Sequence, residues 1–373
     1  MHVLFLPGWY PNRTHPTLGN FVQRHAEAVA TLHDVTVVHT VKDLSLTRAE
    51  WTTTTLGRLT EHVLYSPGGP WQRLQALLRR IGQLAVEARF DVVHGNILHA
   101  TAAPLVGIHR RWKTPFLVSE NWTGYHLDAV RQLPFPVRIA MRMAARRASL
   151  LCPVSEQLAG AMRRHGFTAP YTVIPNVVDT DLFHPPAAER PQPAIRFLHV
   201  STLVDAHKNV TGLLNAFAQA RQAVPAATLH ILGDGDPAPH QATAAGLGLG
   251  PEAVRFSGPS EPAEIARSMR ESDVFVLPSN HENLPCVMLE AFACGMPVLA
   301  TAVGGIPEHL SGERGIMIPR GDIDALRDGM LALARGQRRF APAGIRTYAV
   351  DHFSKPVVAR AFDAAYHQIL QHG

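Results

Sequence analysis

The sequence predicts two doubly wound α/β domains in tandem, and three observations carry that expectation. A chain of 373 residues is too long for one ordinary α/β core and suits two. Short β-branched and apolar runs alternate with helical patterns from end to end, the rhythm of βαβ units and parallel sheets. The alternation breaks once, at residues 184–193 (HPPAAERPQP), a proline-rich stretch that suits neither a helix nor a central strand.

In the first half the strand candidates are residues 2–6, 35–39, 91–94, 116–119, 150–153 and 171–174. Helical patterns fall at 20–31, 71–88, 135–148 and 156–164. After the break, strands are expected at 195–200, 227–232, 254–257, 274–277, 297–300 and 315–318, separated by helices at 209–223, 262–270, 287–294 and 322–334. The last segment, 354–370, places Val357, Val358, Phe362, Ala365, Tyr366 and Ile369 at helical spacing. It either caps the second sheet or crosses back to the first domain. The reading is thus a first domain over 1–183, a linker over 184–194, a second domain over 195–350 and a C-terminal helix over 351–373. Ligands of doubly wound sheets sit at the carboxyl ends of the strands, so a cleft between the domains is the expected site.

Composition narrows the function. Charged residues make up 17% and apolar residues 46%, an ordinary globular profile. No run approaches the ~18–20 apolar residues of a membrane span. The opening MHVLFLPGWYP has no charged leader and reads as a first strand, so a cytoplasmic protein is expected. Cys152, Cys286 and Cys294 have neither metal-ligand spacing nor pairing and read as small buried residues. Residues 1–180 hold 19 Lys/Arg against 11 Asp/Glu, net +8, and residues 181–373 hold 16 against 19, net −3. A basic first half suits an anionic partner. Nucleic acid is not expected, because no zinc finger, aromatic-basic motif or helix-turn-helix accompanies the charge.

The most informative stretch runs from 273 to 308, DVFVLPSNHENLPCVMLEAFACGMPVLATAVGGIPE. A strand ends at Pro278-Ser279, a polar loop follows, and a helix begins near 285–287. Such a strand-loop-helix offers backbone N–H groups and the positive helix end to a phosphate. Glu282 lies in the loop and Glu290, seven residues between them, lies one to two turns inside the helix. Carboxylates accept paired hydrogen bonds from vicinal hydroxyls, which suits a ribose or a hexose.

This Glu-x7-Glu, followed by AFACGMPVLAT and GGIPE, resembles the donor-site signature of retaining glycosyltransferase family 4, whose members have the GT-B fold. The resemblance extends along nearly the whole chain. Residues 5–20, with a Gly19 loop opening a helix, are similar to the family's acceptor-side loop. DVVHGN at 91–96, IPNVVDTDLF at 174–183, LGDG at 232–235, VRFSG at 254–258, DVFVLPS at 273–279 and FSKPVVARAFDAAY at 353–366 follow in the family's order. The resemblance implies a GT-B enzyme of two Rossmann-like domains facing a central cleft. It would move a sugar from a nucleoside-diphosphate sugar to a glycan or lipid-linked glycan, with retention, in cell-surface polysaccharide or glycolipid synthesis.

By the same resemblance Glu290 holds the ribose, Glu282 meets the donor sugar, and the amides of Asn283 and Leu284 approach that sugar. Lys208, in HVSTLVDAHKNV, clamps the diphosphate, and Thr202, Val287 and Arg255 join the donor-binding set. A lysine at a helix start is electrostatically misplaced, which favours a functional reading. A fixed cation and a helix end can stabilise a leaving diphosphate without a metal, and no cofactor is expected beside the nucleotide-sugar substrate. The sequence also departs from the family. Ser201-Thr202 stand where a Gly-Arg pair is usual, and Val177 stands for the glycine of the interdomain motif. Glu120, Asn121 and His126, in SENWTGYH, occupy the region of a first-domain histidine and are candidates for acceptor positioning.

Three Asp-x-Asp strings, at 179–181, 234–236 and 322–324, have the spacing that a metal-dependent class uses, but they fall at turns and a helix start, so no metal is expected. His94 and His99 point to different faces of a strand-to-helix junction and read as an incidental pair. Arg138, Arg142, Arg146 and Arg147 form a basic stripe within 133–151, which suits either a solvated domain helix or a peripheral helix on an anionic membrane surface. Two rivals share the scaffold: a non-catalytic nucleotide-sugar-binding protein and a sugar-nucleotide epimerase.

Overall fold

The computed structural model describes residues 1–187 and 194–371, and among these the chain divides into two compact units. The first comprises residues 1–177 with 355–373, and the second residues 178–354. The linker read at 184–194 lies in part, over 188–193, outside the described residues.

The first unit opens with β1 (His2–Pro7), α1 (Asn20–Ala30) and β2 (Asp34–Lys42). A hairpin of β3 (Glu50–Leu56) and β4 (Leu59–Ser66) follows, then α2 (Pro70–Glu87), β5 (Val92–Asn96), α3 (Leu98–Trp112), β6 (Phe116–Glu120), α4 (Phe135–Arg147), β7 (Leu150–Pro153) and α5 (Glu156–Arg164). The sheet order is β3-β4-β2-β1-β5-β6-β7, parallel throughout except where β3 meets β4. The hairpin was not legible as strands because EWTTTTL has no apolar alternation, and β3 is largely exposed. As an antiparallel edge strand it has little to bury, and a run of threonine suits that place. In contrast, β5 and β6 are buried at every residue, as strands covered by helices on both faces must be.

Residues 171–174 do not form a strand. Tyr171 makes one isolated bridge to Leu151, and the amides of Thr172 and Ile174 donate to Leu151 and Pro153. Pro170 and Pro175 bracket the segment and cannot donate to a ladder, so it lies along the edge of β7 without becoming part of the sheet.

The second unit runs β8 (Arg196–Ser201), α6 (Asp205–Lys208), α7 (Val210–Ala223), β9 (Thr228–Gly233), α8 (Ala238–Gly246), β10 (Val254–Ser257) and α9 (Pro262–Glu271). It continues through β11 (Val274–Leu277), α10 (Cys286–Ala293), β12 (Val298–Thr301), α11 (Ile306–His309), β13 (Gly315–Ile318), α12 (Ile323–Ala334) and α13 (Pro342–Phe353). Its all-parallel order is β10-β9-β8-β11-β12-β13. The order reverses between β8 and β11, and at such a switch point the two following loops diverge to leave a crevice at the carboxyl ends.

The last helix, α14 (Lys355–Gln371), belongs to the first unit. Val358, Ala359, Phe362, Ala365, Tyr366 and Ile369 form one buried stripe against α1 and the sheet. The Tyr366 hydroxyl, with no access to water, meets Nδ1 of the buried His94 at 2.7 Å, and the other nitrogen of His94 meets the Ser119 hydroxyl at 2.6 Å. His94 is therefore a satisfied core residue, as its incidental reading required.

Burial also sets a pH limit. The imidazoles of His25, His39 and His199 bond to the carbonyls of Pro175, Pro7 and Val276, and burial lowers each to about 4. Unfolded, they take up protons near pH 6.5. The unfolded chain therefore binds more protons between these values, and stability is lost as pH falls from about 6.5 toward 4. Denaturant midpoints should fall between about pH 7.5 and about pH 5, and midpoints that stay level would contradict this.

Candidate functional site

The crevice of the second unit is built by the loops after β8 and β11. The loop after β8 passes through the turn α6 to Asn209, which adopts left-handed φ 53° and joins α6 to α7. Asparagine tolerates that conformation. Lys208 thus closes one helical turn just before the next helix starts. The misfit expected of a lysine at a helix start is partly relieved, because the C-terminal end of a turn favours a cation.

The loop after β11 is pinned from three sides. Thr301, the last residue of β12, donates its hydroxyl to the Ser279 carbonyl at 2.6 Å. The amides of Asn280 and His281 both donate to the His207 carbonyl, and Gly305 N donates to the Asn283 carbonyl at 2.6 Å. Gly304 is at φ 58°, and a Cβ there would fall 2.1 Å from the Glu282 carbonyl oxygen, so only glycine permits this approach. The GGIPE signature is in this respect a backbone requirement of the Glu282 loop.

Within this frame Lys208 Nζ meets Glu282 Oε1 at 2.5 Å, and the same oxygen accepts from the buried Ser279 hydroxyl at 2.7 Å. Their side chains are 18% and 8% exposed, so the pair is shielded yet reachable. Asn283, Leu284 and Glu290 are buried; Glu290 lies midway along α10, and Val287 is partly exposed in its first turn. Thr202 is exposed just past β8. Ser279, Thr301, His207 and His281 were not singled out from sequence. For Ser279 the signal was its place at the end of the DVFVLPS strand.

Arg255 is not brought to this group. It is exposed early in β10 and lines a cavity of about 280 Å³ with Arg196, Thr228 and Glu252, at the amino-terminal ends of the strands. The Asp-x-Asp strings serve local geometry. Asp179 accepts from the amides of Asp181 and Leu182, Asp236 from Ala238, and Asp322 caps α12 by accepting from Ala325. Among the described residues no three His, Cys, Asp or Glu side chains are grouped so as to hold a metal ion.

In the first unit the candidates lie where β6 ends. Glu120 is fully buried, and its carboxylate accepts from the amides of Leu98, Asn121 and Trp122, each at 2.9 Å, and from the Tyr125 hydroxyl at 2.8 Å. Burial pushes this carboxyl above the usual range, against the pull of the four donors. Glu120 is therefore an anchor for two loops. Asn121 donates to Asn176 Oδ1 at 2.8 Å, and His126 is partly exposed beyond a short 3-10 turn. Gly19, at φ 77°, precedes α1, and a Cβ there would lie 2.5 Å from the Trp9 carbonyl carbon. The α4 helix buries Met141, Ala144 and Ala145 against α3 and leaves Arg142, Arg146 and Arg147 exposed, while Arg138 is partly buried beside Phe135.

Two doubly wound units carrying a Glu-x7-Glu strand-loop-helix define a glycosyltransferase of the GT-B class. Residues 18–182 match the family model described as Glycosyltransferase Family 4, and residues 194–335 the model described as Glycosyl transferases group 1. The chain belongs to this glycosyltransferase family. A phosphatidyl-myo-inositol mannosyltransferase of Mycobacterium leprae is 27% identical over 82% of this chain and 81% of its own. Among solved structures, a sucrose-phosphate synthase from Thermosynechococcus elongatus superposes with a TM-score of 0.82 at 19% identity, covering 100% of both chains. The Anabaena protein HepE in complex with UDP does so at 0.77 and 19% identity, covering 98% of this chain and 100% of that one.

Removing one partner of a shielded ion pair leaves an uncompensated charge and costs about 3–5 kcal/mol. Lys208→Met should destabilise the second unit by roughly that amount in urea unfolding, and adding Glu282→Gln should recover part of the loss. Equal stability of wild type and Lys208→Met would show that the pair does not hold in solution.

Proposed function

We propose that this glycosyltransferase moves a sugar from a nucleoside-diphosphate sugar onto a glycan or lipid-linked glycan acceptor, with retention of configuration and without a metal ion. The observation that carries the reading is the Lys208–Glu282 pair beside the start of α10, with Glu290 one turn further in. In the resting site each charge neutralises the other. An arriving diphosphate takes Lys208 Nζ from Glu282, and the freed carboxylate accepts hydroxyls of the donor sugar. The amides opening α10 face the same charge, so cation and helix end together stabilise the leaving group. Glu290 accepts the ribose hydroxyls, and the loop amides of Asn283 and Leu284 border the sugar.

Retention follows if the acceptor hydroxyl attacks on the face from which the diphosphate departs. The new C1–O bond forms as the C1–O–P link opens, and the acceptor's proton passes to the departing phosphate oxygen. No separate base is then needed. The mannosyltransferase relative is named for phosphatidyl-myo-inositol, and HepE is described with UDP-glucose. The second supports a nucleotide-sugar donor, and the first supports a lipid-linked acceptor in polysaccharide or glycolipid synthesis. Among the described residues no helix is long and apolar enough to cross a membrane. Exposed Phe135 and Ile139 beside Arg142 and Arg146 suit peripheral attachment to an anionic cytoplasmic leaflet instead.

Thermal unfolding with UDP-, GDP- and ADP-sugars in the presence of EDTA tests this. At about 100 times its dissociation constant a donor should stabilise wild type by ~2.7 kcal/mol, and Glu290→Ala should lose the effect. Stabilisation that appears only with added divalent metal would overturn the metal-free reading, and none at all would overturn the assignment of a nucleotide-sugar donor. An inverted anomeric centre in the product's NMR spectrum would exclude retention.

A further inference from the structure

We propose that the first unit binds a small aliphatic acid, an apolar chain of about seven carbons ending in a carboxylate, in a cavity between α2 and α3. The site lies toward the other end of the sheet from Glu120, and the inference does not depend on the transferase reading. The cavity measures about 210 Å³. Its floor is β1 and β5, through the buried Leu4 and Val93, and its walls are α2 and α3, through Ile81, Ala85, Ile108 and Trp112. Phe90 and Thr114 also line it, and they precede β5 and β6, so the cavity opens by the amino-terminal ends of those strands.

The packing leaves this space open at a cost. Protein interiors are close-packed and hold few voids larger than a water molecule. Here α2 and α3 do not close on each other. Gly107 presents no side chain where α3 passes α2, and a Cβ there would meet only Leu78, at 4.0 Å. A glycine inside a helix is less stable than an alanine, and no crowding requires this one. Cavities walled by aliphatic and aromatic side chains stay dry and take up apolar guests, because a water inside them finds too few partners. At roughly 30 Å³ for each water-sized group, the volume admits about seven such groups. That suits a short chain and is too little for the full acyl chain of a bilayer lipid.

Charge selects the head group. No acidic side chain lines the cavity, whereas Arg89 does, and it is exposed. The Arg111 guanidinium lies over the ring of Trp112, 5.2 Å from its centre, so a second cation stands at the same wall. Among the described residues neither guanidinium has an ion-pair partner. Glu87 and Asp91 are the nearest carboxylates in sequence to Arg89; neither pairs with it, and Asp91 accepts from the His2 amide instead. A chain seated against Ile81 and Ile108 brings its carboxylate within reach of Arg89. Guanidinium and carboxylate then meet in the bidentate geometry that favours arginine for such groups. An ammonium in the same place would meet like charge.

Octanoate, octanol and octylammonium share the chain and differ in the head, which makes them the probes. The five tryptophans give five indole N–H signals in a nitrogen-15 spectrum, and Trp112 reports on the cavity. Octanoate should move the Trp112 signal along a saturating curve, with a dissociation constant of about 1 mM or tighter, and leave Trp9, Trp51, Trp71 and Trp122 in place. Octanol should bind about tenfold more weakly, and octylammonium more weakly still. Arg89→Gln should bring octanoate down to the level of octanol and leave octanol unchanged, a split that a merely structural role for Arg89 would not produce. Ala85→Phe, which fills the cavity, should abolish the Trp112 shift while the other indole signals show that the variant is folded. Vesicles of anionic phospholipid should not displace octanoate. No saturating shift at Trp112, equal binding of octanoate and octylammonium, unchanged octanoate affinity in either variant, or displacement by the vesicles would overturn the site.

Discussion

The Lys208–Glu282 ion pair is the interaction on which the chemistry proposed for the second unit depends. The two residues lie 74 positions apart and meet only because β8 and β11 are neighbours at the reversal of the strand order. Everything around them serves to hold that meeting in place. Ser279 shares the Glu282 oxygen, Thr301 holds Ser279, and Gly304 gives up a side chain so that the next loop can lie against the Glu282 backbone. A pair this shielded gains from its partner only if the geometry is tight, and here three strand ends supply it.

The first unit repeats the plan with different contents. Apart from the added edge strand β3, both sheets have the same order, and in both the informative residues gather at the carboxyl ends. The centre of the first is the buried carboxyl group of Glu120, which accepts from three amides and a hydroxyl and has no cation beside it among its hydrogen-bond partners. Burying a charge in this way is tolerable because each oxygen has donors, and it turns Glu120 from a reagent into a clamp. The helix α14 completes the same core with Phe362 and Tyr366, so the end of the chain belongs to the unit where the chain began.

Much of this was legible in the sequence, for physical reasons. The central strands announced themselves because burial on both faces forces continuous apolar runs, and the Glu-x7-Glu loop stood out because two carboxylates at that spacing flank an otherwise apolar segment. The hairpin of β3 and β4 was not legible, since an exposed edge places no apolar demand on a threonine run. Nor was the false strand at 171–174 distinguishable by composition, because its prolines act on hydrogen bonding and not on hydropathy. The anchoring part played by Glu120 is a long-range fact: Leu98 is 22 residues away, and no local pattern links them. Arg255 resembled a binding residue in its motif, yet its position early in β10 puts it by the opposite ends of the strands.

The most direct measurement is the calorimetric affinity of the free nucleoside diphosphates UDP, GDP and ADP for wild type and for Glu282→Gln. If Glu282 competes with the diphosphate for Lys208, removing its charge should tighten the diphosphate that binds by about tenfold, ~1.4 kcal/mol. Unchanged or weaker binding would mean that Lys208 does not change partners, and the account of the donor site would fail with it.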